Sequence, residues 1–237
     1  MQELFESLRQ FFTDIPGFLT AFVGNHGPWV YGLLFAIIFA ETGLVLLPFL
    51  PGDSLLFTVG ALSVPDKETG KAAFNVWIVS GVLIVAAIIG DAVNYHIGKY
   101  IGPRVFNKNP APDHVPTFIE RALNRQHLDR AHAFFEKYGG KAVILGRFVP
   151  IVRTFVPFVA GAGAMTYGKF VLYNVAGAFL WVGVCVGAGV LFGNIPFVKK
   201  NFELVIIGII VVSVLPVVYE VLKARSEHRA VRSTSIS

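Results

Sequence analysis

Four ionisable residues stand alone in two apolar stretches: Glu41 and Asp53 in one, Arg147 and Arg153 in the other. A charge near the centre of a bilayer costs roughly 2.5–3.5 kcal/mol, so residues of this kind persist where they pair or act. Two acids and two arginines sum to zero, which predicts that the two stretches meet and share one polar site. A guanidinium is a planar fork of donors that grips phosphate through two oxygens. Arg147 and Arg153 are therefore read as binding the phosphate of an anionic lipid headgroup. They are six residues apart with Pro150 between them, so a continuous helix would turn them to different faces whereas a break could bring both inward. Glu41 and Asp53 are read as counter-charges and proton acceptors. Burial disfavours a charged carboxylate and a nearby arginine favours it, so proton occupancy there would depend on whether an anion is bound. Asp91 is a third candidate for that role; it shares a helix face with Asn94 and could instead bond to it. The plainer reading of the arginines is that they tie the acids and hold the two stretches together.

Composition sets the class. Hydrophobic residues make up 54% of the 237, charged residues 15%, and the mean hydropathy is +0.65. A soluble domain has about a quarter of its residues charged, so this is an all-α integral membrane protein in a single domain. The one cysteine, Cys185, lies in an apolar run and implies packing rather than a disulfide or a redox site. The histidines show no metal-ligand spacing, so neither a metal nor a cofactor is expected. The opening MQELFESLRQFF carries acids and no basic region before an apolar core, unlike a cleavable signal peptide.

The elements that must position these charges follow from length and breakers. Residues 1–26 place Leu and Phe at helical spacing and read as an interfacial amphipathic helix, interrupted at Pro16 with Asp14 capping the restart. From Gly27 to Ser63 the chain is too long for one crossing at about 1.5 Å per residue, and Pro48, Pro51 and Gly52 mark the break. Pro150 and Pro157 mark the corresponding breaks in the arginine stretch. The reading is a transmembrane helix at 28–47, a re-entrant segment from outside at 49–63, a transmembrane helix at 72–98 and a basic cytoplasmic loop or helix at 99–141. A re-entrant segment from inside follows at 142–166, then transmembrane helices at 170–192 and 204–222 and a cytoplasmic tail at 223–237.

Lys and Arg set the sidedness: eight lie in 99–141 and four in the tail, against two in each of 64–71 and 193–201. The positive-inside rule puts the two richer segments in the cytoplasm, and the arginine stretch then enters and leaves on that face. The architecture expected is an inverted repeat: two opposed re-entrant helical hairpins, about four full transmembrane helices and the N-terminal amphipathic helix, with the site near the midplane.

Three strings, FAETGLVLLPFLPGDSLLFTVGAL, IIGDAVNYHIGKY and GRFVPIVRTFVPFVAGAGAMTYGKF, resemble the bacterial DedA family in the wider VTT superfamily, and the resemblance covers nearly the whole chain. It implies opposed re-entrant helices and transport of undecaprenyl phosphate back across the cytoplasmic membrane, coupled to protons. The family's essential acids and bases fall on Glu41, Asp53, Arg147 and Arg153.

The expected function is thus a lipid-phosphate flippase in the bacterial inner membrane, not an enzyme, with undecaprenyl phosphate, protons and membrane lipids as partners and both termini cytoplasmic. A proton-coupled cation or drug antiporter, in which Glu41 and Asp53 carry the cargo, is the alternative; a membrane scaffold and a lipid phosphatase rank below it. The basic loop and tail suit anionic lipids rather than nucleic acid. Gly177, Gly183, Gly187, Gly189 and Gly193 allow close helix packing, within a protomer or in a homo-oligomer.

Overall fold

The computed structural model describes residues 14–44, 52–66, 70–105 and 135–193, with isolated positions at 133, 195, 198, 204, 205 and 208. Among them every regular element is a helix. In chain order they are α1 (Ile15–His26), α2 (Trp29–Gly43), α3 (Gly52–Leu62), α4 (Val76–Val105), α5 (Ala142–Gly146), α6 (Pro150–Val159) and α7 (Tyr167–Phe192). A π-helical turn, Ala160–Ala164, follows α6.

Local chemistry explains most of the boundaries. Asp14 caps α1, its Oδ1 accepting from the Gly17 amide at 2.9 Å, with Pro16 in the first turn. Ile15 and Leu19 are buried against the rest of the chain. Asn75 opens α4, its Oδ1 accepting from the amides of Trp77 and Ile78, which moves the start from 72 to Val76. The helix also runs past 98 to Val105, because Lys99 ends an apolar run without breaking a helix. α2 stops at Gly43, where Leu44 turns extended, so its 15 residues span about 22 Å, less than the roughly 30 Å hydrocarbon core.

Among the described residues two helices, Val76–Gly102 and Tyr167–Phe192, are long and apolar enough to cross a bilayer. The expected span at 28–47 is represented by the shorter α2, and most of 204–222 lies outside the described residues. Pro48 and Pro51 lie outside them too, while Gly52 begins α3. Pro150 begins α6 after an extended Val149. Pro157, expected as a break, sits inside α6 instead. Proline removes one backbone donor but does not by itself end a helix that tertiary packing holds. The chain turns later, where the Met165 amide reaches the Ala160 carbonyl at 3.1 Å and Gly163 takes φ 128°.

The helices enclose two apolar cores. One gathers Leu34, Ile38, Leu55, Leu83, Ala87 and Trp181; the other gathers Tyr95, Phe155, Phe158 and Phe170. Along α4 the order is first core, Asp91 and Asn94, second core; along α7 it is second core, Asn174, first core. The two long helices therefore run antiparallel, with a polar layer between the cores. Asp91 is 15 residues from Val76, about 22 Å along α4 and close to its middle.

Glycine lets the broken stretches approach the long helices backbone to backbone. A Cβ at Gly189 of α7 would fall 2.1 Å from the Phe57 carbonyl oxygen of α3, and one at Gly161 would fall 1.9 Å from that of Tyr95 on α4. So α3 lies on α7, while α6 and the π turn lie on α4. Outside, apolar side chains face solvent: Trp77, Ile89 and Val93 on α4, and Leu172, Phe179 and Leu191 on α7. Trp29 and Trp77 project at one end of the bundle and Tyr100 and Tyr167 at the other. Trp77 and Tyr100 are 23 residues apart on α4, about 34 Å, the spacing of aromatic girdles at two membrane interfaces.

Candidate functional site

The polar layer assembles five charged side chains from five helical segments. Arg153, in the first turn of α6, donates one Nη to Glu41 of α2 and the other to Asp53 of α3, the latter at 2.9 Å. Arg147 directly follows α5 and donates to both Asp91 of α4 and Asn174 of α7. With the chain broken at Val149 and Pro150, both guanidiniums lie in the buried layer. Their partners differ from a simple two-against-two balance: Arg153 takes Glu41 and Asp53 together, and Arg147 takes Asp91. With all five ionised the layer carries three negative and two positive charges.

Neutral groups hold this arrangement. The Asn174 carboxamide donates to the Ile88 carbonyl at 3.1 Å while accepting from Arg147. Asn94 donates to the carbonyls of Thr42 at 3.2 Å and Thr154 at 2.7 Å, joining α2 and α6 through α4. It does not bond Asp91 in place of the arginine. Trp181 donates from Nε1 to Asp53 at 2.8 Å, and its ring lies 5.7 Å from the Arg153 guanidinium and 5.9 Å from that of Arg147. Gly177 makes room for Arg147, since a Cβ there would meet Nε at 3.0 Å. Gly52 makes room for Glu41, whose Oε2 would lie 1.9 Å from a Cβ at that position.

Asn174 and Trp181 are the members that a reading for charges passes over. A carboxamide in the otherwise apolar run 170–192 is a signal in its own right, because polar residues within a membrane bond across helices. Trp181 gives no such signal, since tryptophan in an apolar run also packs.

Access to the two arginines is unequal. Arg147 and Asp91 are each 5% exposed and Glu41 1%, whereas Arg153 is 10% and Asp53 23%. A cavity of about 10 Å³ lies among Glu41, Asp91, Arg147, Arg153 and Trp181, room for about one water. The layer is thus closed at Arg147 and reachable at Asp53. Chemically it offers two guanidiniums to an anion, each engaged by acids that an incoming anion would have to displace.

The VTT domain matches residues 50–191, which contain Asp53, Asp91, Arg147, Arg153 and Trp181. The chain belongs to the VTT-domain, or DedA, family. It is 49% identical to Protein DedA of Escherichia coli over 221 residues, covering 93% of this chain and 95% of that protein. It is 42% identical to an uncharacterized membrane protein of Mycobacterium leprae over 180 residues, 76% of this chain and 74% of the relative. Identity to the E. coli inner membrane protein YqjA is 34% over 176 residues, 74% and 73% of the two chains. No solved structure matches. Membership of this family makes the chain a membrane protein, and its polar layer lies buried within the helix bundle.

Proposed function

We propose that this protein is a lipid-phosphate flippase that returns undecaprenyl phosphate across the bacterial cytoplasmic membrane with proton coupling. The carrying observation is that Arg153 holds two carboxylates on two separate nitrogens at the partly reachable edge of a buried layer. Two oxygens of one phosphate can take the place of those two carboxylate oxygens on the same fork. The headgroup alone needs this polar route, and the hydrocarbon tail stays among lipid chains.

The same geometry supports the coupling. A carboxylate displaced from Arg153 within this buried layer faces a desolvation cost of several kcal/mol unless it takes a proton. Binding of the anion and uptake of a proton are then one event. The packing supports alternating access: α3 rests on the long helix that follows the arginine stretch, and α6 rests on the long helix that follows the acidic stretch. That exchange is the relation expected of two opposed re-entrant hairpins in an inverted repeat, one dipping in from each side, with both termini in the cytoplasm.

The test is undecaprenyl phosphate translocation in proteoliposomes with and without an imposed pH gradient. Native protein should move the lipid, faster with the gradient, and folded Arg153→Ala should not. Equal movement by both would overturn the proposal. One observation favours the cation antiporter as a second reading: acids outnumber arginines in the layer three to two. That reading requires a cation gradient to drive proton movement in the absence of lipid phosphate.

A further inference from the structure

Beside Asp53 lies a cleft of about 380 Å³ whose walls are otherwise apolar. Its volume falls in the range, roughly 300–1,000 Å³, of sites that enclose small ligands. Phe57 of α3, Val184, Cys185, Ala188 and Phe192 of α7, and Val198 and Val205 beyond it line the cleft. The lining has a register. On α3, Phe57 follows Asp53 by four residues; on α7, Cys185, Ala188 and Phe192 follow Trp181 by four, seven and eleven. Residues at those spacings share one helix face. An apolar stripe on α7 and the Phe57 ring on α3 therefore continue from the pair of side chains, Asp53 and Trp181, that are hydrogen-bonded to each other beside Arg153.

We infer that this cleft seats the headgroup-proximal part of the lipid's hydrocarbon chain while its phosphate engages Arg153. The inference rests on the proposed function and adds the tail site to it. The Arg153 guanidinium behind Asp53 selects the occupant. The cleft's polar lining is a carboxylate already bonded to Arg153, so an amphiphile whose anionic end replaces Asp53 on that guanidinium leaves its apolar end in the cleft. Exposure agrees, because Asp53 is 23% exposed and Glu41 1%, so the ion-pair cluster is reached from the Asp53 side. Among the described residues the wall beyond Asp53 is apolar and suits a chain of methyl and methylene groups rather than a free phosphate.

The experiment uses the full-length protein in lipid nanodiscs and a farnesyl phosphate bearing a diazirine on the isoprene unit next to the phosphate. After photolysis, peptide mapping should place the crosslinks on 184–192, on the segment around Phe57, and on Val198 or Val205. Excess undecaprenyl phosphate should reduce the yield at least tenfold, and inorganic phosphate at equal concentration should leave most of it. Ala188→Phe, which narrows the cleft away from the charged layer, should lower both crosslinking and translocation at least tenfold while unfolding at a temperature near the native one. Crosslinks that map elsewhere, or a folded Ala188→Phe that translocates normally, would overturn the tail site and leave the flippase reading standing. Displacement by inorganic phosphate as efficient as by the lipid would overturn it as well, since the headgroup alone would then account for binding. Displacement by tetraphenylphosphonium in preference to undecaprenyl phosphate would overturn both readings in favour of the cation antiporter, and failure of the native protein to translocate would remove the flippase reading itself.

Discussion

Arg153 and Arg147 have the same side chain and are held for different ends. Arg153 divides its nitrogens between two acids from two helices, one of them reachable, and an ammonium cannot reproduce that fork. Arg153→Lys is therefore expected to slow undecaprenyl phosphate translocation roughly tenfold or more, the equivalent of one charge-assisted hydrogen bond of about 1.5 kcal/mol. The proteoliposome assay on folded variant reads it directly. Arg147 and Asp91 are closed in from all sides. Removing one partner strands a buried charge, so Asp91→Ala should destabilise the protein by about 3–5 kcal/mol, read as a fall in thermal unfolding temperature in detergent. The double variant Asp91→Ala with Arg147→Met should recover most of that loss; no recovery would show that the pair does not act as a unit. The residues of this layer were legible in the sequence because charge in an apolar run is conspicuous. Their pairing was not, because it depends on which helix faces Arg147, and nothing in the local pattern distinguishes Asp91 from Glu41 or Asp53 as its partner. Trp181 was hidden for the opposite reason, as its indole looks the same whether it packs or donates.

At the scale of elements, the site depends on helices that meet at glycine. α3 can carry Asp53 to Arg153 because Gly60 and Gly189 let it lie directly on α7, where a Cβ at either position would fall within 2.2 Å of a backbone carbonyl oxygen. Backbone cannot yield as a side-chain tip does. Gly189→Leu is expected to force α3 and α7 apart, costing about 1–3 kcal/mol or more in stability and separating Asp53 from Trp181. Indole fluorescence and thermal unfolding of the variant would check this; an unchanged unfolding temperature would mean that the crossing tolerates the added volume. Breaks were legible where proline coincided with a free helix start, as at Pro150, and misleading where packing held the helix through it, as at Pro157. The true turn after α6 depends on Gly163 and a π-type bond, in a run of alternating glycine and alanine whose sequence permits many conformations.

For the molecule as a whole, the antiparallel long helices place one polar layer between two apolar cores, and the layer's charge decides what can move through it. Five ionised groups already sum to minus one, so each further negative charge brought in by a headgroup favours entry of a proton with it. On the proposed flippase function, lipid phosphate and proton travel in the same direction, and a gradient acidic outside drives the headgroup inward. On the same reading, of the two acids on Arg153 it is Glu41 that takes the proton. Asp53 is 23% exposed and can be rehydrated when it leaves the guanidinium, whereas Glu41, at 1%, has beside it only a cavity with room for about one water. Glu41→Gln fixes that position in its uncharged form and leaves Arg153 with one carboxylate fewer to surrender. Undecaprenyl phosphate should then bind the variant about as tightly as the native protein or more so, and translocation should persist, yet stimulation by a pH gradient should fall to near unity. Binding measured in nanodiscs and flux measured with and without the gradient separate the two effects. If Glu41→Gln keeps its gradient stimulation while Asp53→Asn loses it, the proton resides on the more exposed acid, and coupling takes place at the mouth of the cleft rather than within the closed layer.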